Sequence, residues 1–235
     1  MAQETVIESF KIKFQTQLLS WFRIYGRDLP WRQTSDPYQI LVSEIFLHQT
    51  QVKTVLPIYK RFLEKFPTFE ALASVKLSEV KAITDPLGYK VRGKWLHTIA
   101  QAVMDKHGGT LPDTLEELME LDGVGRYTAG AILSFTFKKR VPIVDTNVER
   151  IIRRVFGLEE SPQNATTERQ IWRLAEELLP TEETPQDIFD FNQGIMDLGA
   201  LICQTQATCP ICPLRLLCTR GRKFPRQRIL EEFSS

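Results

Sequence analysis

The sequence carries no surplus of charge: 30 lysines and arginines stand against 29 acids, a formal net of +1. Affinity for a polyanion must therefore come from clustered charge and not from overall potential. Long hydrophobic runs are missing too; the longest apolar stretches are about ten residues, half of what a membrane-spanning helix needs. The N-terminus lacks the basic-then-apolar opening of a secretory signal, so a cytoplasmic location is expected, with no membrane partner. No alternation of apolar and polar residues lasts beyond a few positions and no repeat is evident, which leaves a nearly all-helical chain. Cysteine is scarce, but its four copies all fall between 203 and 218. Four thiols crowded together in a cytosolic chain point to a metal site and away from disulfides. The 235 residues allow one large domain or two small ones, with a real core.

What is there centres on LDGVGRYTAGAILSFTFKKRVPIVD, residues 121–145. An amphipathic segment, TLEELMEL, precedes two glycines, Gly123 and Gly125, that flank one apolar residue, and an apolar helix follows. Helix, glycine hairpin, helix is the reading. The glycines permit backbone angles closed to other residues and leave N–H groups outward at the start of the next helix, beside Arg126. Such a turn is either a bare αα-hairpin or a phosphate site served by the positive end of the helix dipole. The basic trio Lys138, Lys139 and Arg140 follows, and a lone acid, Asp145, closes the apolar run 141–144.

Earlier in the chain, residues 7–22 carry an apolar stripe at helical spacing, ended by Gly26, and Trp31 sits in the loop Arg27–Arg32, either to stack a base or to cover a core. Asp36-Pro37 reads as an N-cap with proline in the first turn. The next helix is unusually apolar, with Glu44 inside it. An exposed position and a buried one both suit Glu44; burial would disfavour its anion and supply a neutral proton donor. His48, Gln49, Thr50 and Gln51 offer polar groups suited to base edges or simply a polar helix end. Helices are expected at 53–66, 69–83 and 91–106, with Tyr89 in the intervening loop as a wedge beside Lys90 and Arg92 or as a core residue. After Asp145, capped by itself or by Thr146, comes a helix with Arg150, Arg153 and Arg154. Residues 158–167 are the most linker-like, two helices follow near 168–179 and 187–202, and the basic tail from Arg220 either touches phosphates or is unstructured. The spacing Cys203-x5-Cys209-x2-Cys212-x5-Cys218 suits a [4Fe–4S] cluster or zinc.

The segments SEIFLHQTQV, GVGRYTAGAILS, VDTNVERI, FNQGIMDLGALIC and the cysteine loop together resemble the helix-hairpin-helix DNA glycosylases, and within them the adenine-specific branch, over roughly residues 8–220. The resemblance implies an all-α fold: a six-helix barrel bearing the hairpin (24–139), packed on a [4Fe–4S] domain (1–23 plus 140–220), then a basic tail (221–235). It implies a monomer that acts on double-stranded DNA containing a mismatch, associated with the nucleoid. Residue by residue, Glu44 matches the catalytic glutamate, Asp145 the catalytic aspartate, Tyr127 a tyrosine found beside them, and Asn147 the asparagine next to Asp145. Gln49, Thr50 and Tyr89 match residues at the base opposite the target; Arg27, Trp31 and Gln193 match the pocket for the flipped adenine. Gly123, Gly125 and Arg126 match the DNA-backbone contact, and Cys203, Cys209, Cys212 and Cys218 the cluster ligands.

Bifunctional relatives carry lysine at the Tyr127 position, whose amine forms a Schiff base; tyrosine implies base removal alone. Three departures stand out. The first cysteine gap is five residues where six is usual, His48 replaces a common glutamine, and no Nudix-like domain follows residue 235, so discrimination of 8-oxoguanine is expected to be modest. The mismatch-specific thymine branch, also with tyrosine at the Tyr127 position, is the rival within the enzyme class. A non-enzymatic iron–sulfur DNA-binding protein, the rival of another class, would have no use for Glu44, Tyr127 and Asp145 together.

Overall fold

The computed structural model describes residues 2–181 and 184–223, with side chains from Glu8 to Arg222. Most of the basic tail, and the side chain of Ile7 in the first apolar stripe, lie outside the described residues. Every regular element among those described is helical, and none of these helices is long and apolar enough to cross a membrane. The fold class read from the sequence therefore stands. The chain divides into two compact units, one formed by Met1–Arg27 with Lys138–Ser235, the other by Asp28–Phe137. The linker-like stretch 158–167 lies inside the first unit and joins two of its helices.

In the first unit, α1 (Ala2–Tyr25), α9 (Thr146–Phe156), α10 (Ala165–Leu178) and α11 (Pro185–Leu201) enclose a core that includes Phe14, Leu18, Ile152, Phe191 and Leu198. The stripe on α1 buries Phe14 completely, with its ring 6.0 Å from that of Phe191. Small residues set how closely the helices approach. A side-chain carbon at Gly199 would lie 2.5 Å from the Cβ of Asn147, so α11 meets α9 where only glycine fits.

The second unit holds α2 (Pro37–Leu47), α3 (Val52–Lys65), α4 (Phe69–Ala73), α5 (Leu77–Thr84), α6 (Arg92–His107), α7 (Leu115–Met119) and α8 (Arg126–Phe135). Asp36 caps α2 by accepting from the Tyr38 amide at 2.9 Å, and Pro37 fills the first turn, where no amide donor is needed. Nearly every residue of α2 is buried, and Phe46 meets Phe62 of α3 edge to face at 5.1 Å. Between α7 and α8 the chain turns sharply. Gly123 adopts φ +76°, a left-handed conformation, and an added Cβ there would lie 2.3 Å from the Trp95 ring, so glycine is required twice over. Gly125 differs from the expectation: its φ of −90° and ψ of 178° are extended backbone open to any residue, and the space around it is empty. What glycine provides there is access to the backbone, not conformational freedom.

Candidate functional site

Glu44 lies on α2 among residues buried before and after it, and only 3 % of its surface is exposed. One partner comes from the hairpin helix: the Tyr127 hydroxyl donates to Glu44 Oε2 at 3.0 Å. Tyr127 is the second residue of α8, so the hairpin that exposes Gly125 also delivers a phenol to the buried carboxyl. On the next residue, the Thr128 hydroxyl stands 3.1 Å from His48 Nε2. Burial, and then the nearby Arg92 guanidinium, hold His48 below the ordinary histidine value.

Gln49 and Thr50 follow at the end of α2. Gln49 is exposed and, at φ +53°, occupies the left-handed region that non-glycine residues seldom enter. Tyr89, 40 % exposed, stands just after Gly88 (φ +98°), with its ring edge-on to Trp95 at 5.5 Å. Of the two readings of Tyr89, the core one is excluded. Trp31 comes out the other way: it is 5 % exposed and packs edge-on against Tyr59 at 5.2 Å. Two residues here were not singled out for a role in the sequence. Trp95 supports Gly123, Tyr89 and His48 together, and Arg92 is a fully buried cation.

In the first unit Asp145 is the N-cap of α9. Its Oδ1 accepts from the amides of Asn147 (2.9 Å) and Val148 (2.7 Å), and its Oδ2 from Asn147 Nδ2 (2.8 Å). All three partners donate, which suits a carboxylate that accepts on both oxygens. The Asn147 amide oxygen in turn accepts from Arg150 Nη2 at 2.7 Å, and that guanidinium also donates to the carbonyls of Gly199 (2.9 Å) and Cys203 (2.7 Å). Arg27, expected at a base pocket, is clamped by Asp197 through its backbone amide, Nε and Nη2. Gln193 is 3 % exposed on α11.

The basic helix proves to be spent inward. Arg154 donates to the carbonyls of Cys203, Gln204 and Thr205 and to Cys203 Sγ (3.3 Å), and Arg140 to those of Glu176, Leu179 and Pro180. These arginines satisfy carbonyls of the cysteine loop and of the end of α10. Arg150 and Arg154 thus spend their donors on the fold.

Cys209 and Cys218 are buried, Cys203 and Cys212 partly so. Burial pushes the Cys212 thiol up to about 12, and that thiol also feels the charges of the other three, so the four sulfurs share one neighbourhood. N–H groups address them: Arg154 reaches Cys203, the Leu214 amide Cys212, and the Gly221 and Arg220 amides Cys218. Thiolates with N–H donors fit an iron–sulfur cluster. No three His, Cys, Asp or Glu side chains among the described residues are placed to hold a single metal ion.

Comparison with known proteins covers the stretch of chain that holds these residues. A family model for HhH-GPD superfamily base excision DNA repair proteins matches residues 42–177, which include Glu44, the hairpin and Asp145. Over 227 residues, 92 % of the chain, it is 39 % identical to the adenine DNA glycosylase of Homo sapiens, of which it spans 41 %. It is 35 % identical over 205 residues to the thymine/uracil-DNA glycosylase of Pyrobaculum aerophilum, covering 86 % of this chain and 88 % of that one. A solved structure of a thermostable thymine-DNA glycosylase superposes with a TM-score of 0.83 at 33 % identity, over 92 % of this chain and 99 % of the other. Matched by the family model over more than half its length and built as an all-helical fold around the same hairpin, the chain belongs to the HhH-GPD superfamily of base excision DNA repair proteins.

Proposed function

We propose that the protein is a monofunctional DNA glycosylase that removes adenine mispaired with guanine or 8-oxoguanine from duplex DNA. The observation that carries this reading is Glu44, a carboxyl 3 % exposed that receives the hydroxyl of Tyr127 from the first turn of the hairpin helix. A base inside a duplex is out of reach, so the target nucleotide must be turned out of the helix. Gly125 and the first amides of α8 would bind a backbone phosphate with the help of Arg126. Gln49, Thr50 and Tyr89 would fill the gap and meet the unpartnered base, and Gln193 would meet the flipped one. The Gln193 carboxamide hydrogen-bonds to no described residue, so its donor and acceptor are both unspent. Adenine needs one of each.

Adenine leaves poorly as an anion. Glu44 would act as the acid: its proton, delivered to a ring nitrogen of the base, lets the N-glycosidic bond break toward an oxocarbenium-like sugar. The Asp145 carboxylate would stabilise that cation until water adds, leaving an abasic site. Asn147 and Arg150 would keep the carboxylate in place. Tyr127 has no amine, so no Schiff base forms and the strand stays intact.

Thymine or uracil opposite guanine is the second reading. The match to 88 % of a thymine/uracil glycosylase and the superposition on a thymine glycosylase favour it. A single-turnover panel of A, T and U opposite G, 8-oxoguanine, C and A separates the two. Adenine release from A·8-oxoguanine and A·G is expected, with strand breaks only after alkali. Thymine or uracil release without adenine release would establish the second reading, and borohydride trapping of a covalent complex would end the claim of monofunctionality.

Cys203, Cys209, Cys212 and Cys218 would hold a [4Fe–4S] cluster, which when bound would cross-link the loop that Arg150 and Arg154 grip. Protein purified without oxygen is expected to contain about four iron atoms per chain and a broad visible absorption. Stoichiometric zinc without iron would contradict the assignment.

A further inference from the structure

Arg92, the first residue of α6, has no exposed surface at all. Burying a guanidinium is unfavourable unless acceptors are supplied. Nη2 finds two: it donates to the His48 carbonyl and to Thr50 Oγ1, the latter at 2.6 Å. Its Nε and Nη1 have no hydrogen-bond partner among the described residues. A site that needed only volume would be served better by an apolar side chain. The placement of the two bonds explains the cation instead. They bracket Gln49, one on the residue before it and one on the residue after it, and Gln49 is held at φ +53°. A left-handed glutamine persists only when its surroundings over-determine it. The same guanidinium reaches the second loop. Its Cζ stands 5.6 Å from the centre of the Tyr89 ring, and the Thr50 hydroxyl it contacts lies 3.4 Å from the Leu87 carbonyl, one residue before Gly88.

We infer that Arg92 is the positioning residue for opposite-base reading: one buried guanidinium sets Gln49, Thr50 and Tyr89 in a common geometry. The inference rests on the proposal that these three residues meet the base left behind in the duplex. Arg92 itself touches no DNA. Its loss loosens both loops at once and erases the distinction between opposite bases, while contacts to the backbone persist.

The test is equilibrium binding to duplexes that carry a tetrahydrofuran abasic analogue opposite G, opposite C, or opposite a one-nucleotide gap. None of these holds an excisable base, so an error about the target base would appear only in the excision panel. Wild-type protein is expected to prefer G over C. Arg92→Met is expected to lose that preference by about tenfold, the worth of a charge-assisted hydrogen bond, and to bind the gapped duplex as wild type does. Arg92→Lys, which keeps the charge but not the planar fork, should fall between them. Should Arg92→Met fail to fold, Arg92→Lys carries the same comparison. Equal weakening on all three duplexes with a native circular dichroism spectrum, an unchanged preference, or a wild type with no preference would each overturn the inference.

Discussion

Asp145→Asn protein is expected to bind a mismatched duplex as the wild type does and to release the base about 10²–10³-fold more slowly, the usual cost of losing one preorganised electrostatic contact. The choice of asparagine matters because Asp145 holds two positions at once. It caps α9, with Oδ1 accepting from two amides, and asparagine caps a helix about as well as aspartate. The second oxygen would become an amide that meets Asn147 Nδ2 donor to donor. Asn147 cannot turn to repair this without releasing Arg150, which donates to its oxygen. One hydrogen bond is therefore lost, about 0.5–1.5 kcal/mol. A domain of this size then melts only a few degrees lower, at about 2–4 °C per kcal/mol. A large rate loss beside a small melting shift assigns the charge to the chemistry; near-wild-type single-turnover rates would leave Asp145 as a cap and nothing more.

Glu44→Gln should cost about 10²–10⁴-fold in the same assay, the range for a positioned proton donor. Glutamine is nearly the same shape, and the Tyr127 hydroxyl that donates to Oε2 can donate equally to an amide oxygen. Packing, melting temperature and mismatch affinity should thus hold while the transferable proton disappears. Tyr127→Phe is the control: it removes a partner of the carboxyl and leaves the donor, so its loss should be clearly smaller. If Glu44→Gln excises within a few-fold of wild type, the acid is elsewhere. If Tyr127→Phe is the worse of the two, the phenol does more than orient Glu44.

Much of this was legible in the chain itself, wherever the cause is local. Asp36-Pro37 and Asp145 announce helix starts because a cap bonds to amides two or three residues on. Gly123 announces a turn because its left-handed angle is a property of one residue. The apolar run around Glu44 left burial or exposure open, and the fold resolved it by placing α3 and α8 against α2.

Partners remote in sequence were another matter. Arg27 meets Asp197 across 170 positions, Tyr127 meets Glu44 across 83, and Arg150 and Arg154 meet the cysteine loop across about fifty. A run of arginines on α9 reads as a phosphate-binding face until the carbonyls that claim it are located, and those carbonyls belong to a loop with no pattern of its own. In the sequence Arg92 is one more basic residue beside Tyr89; nothing in its neighbours marks a cation with no exposed surface. Composition, caps and turns determined by themselves that this protein is helical and where most of its helices start. Only the tertiary structure decided which of its charges are spent on the fold, because a hydrogen bond is satisfied by whatever acceptor packing brings near and not by the residues next in line.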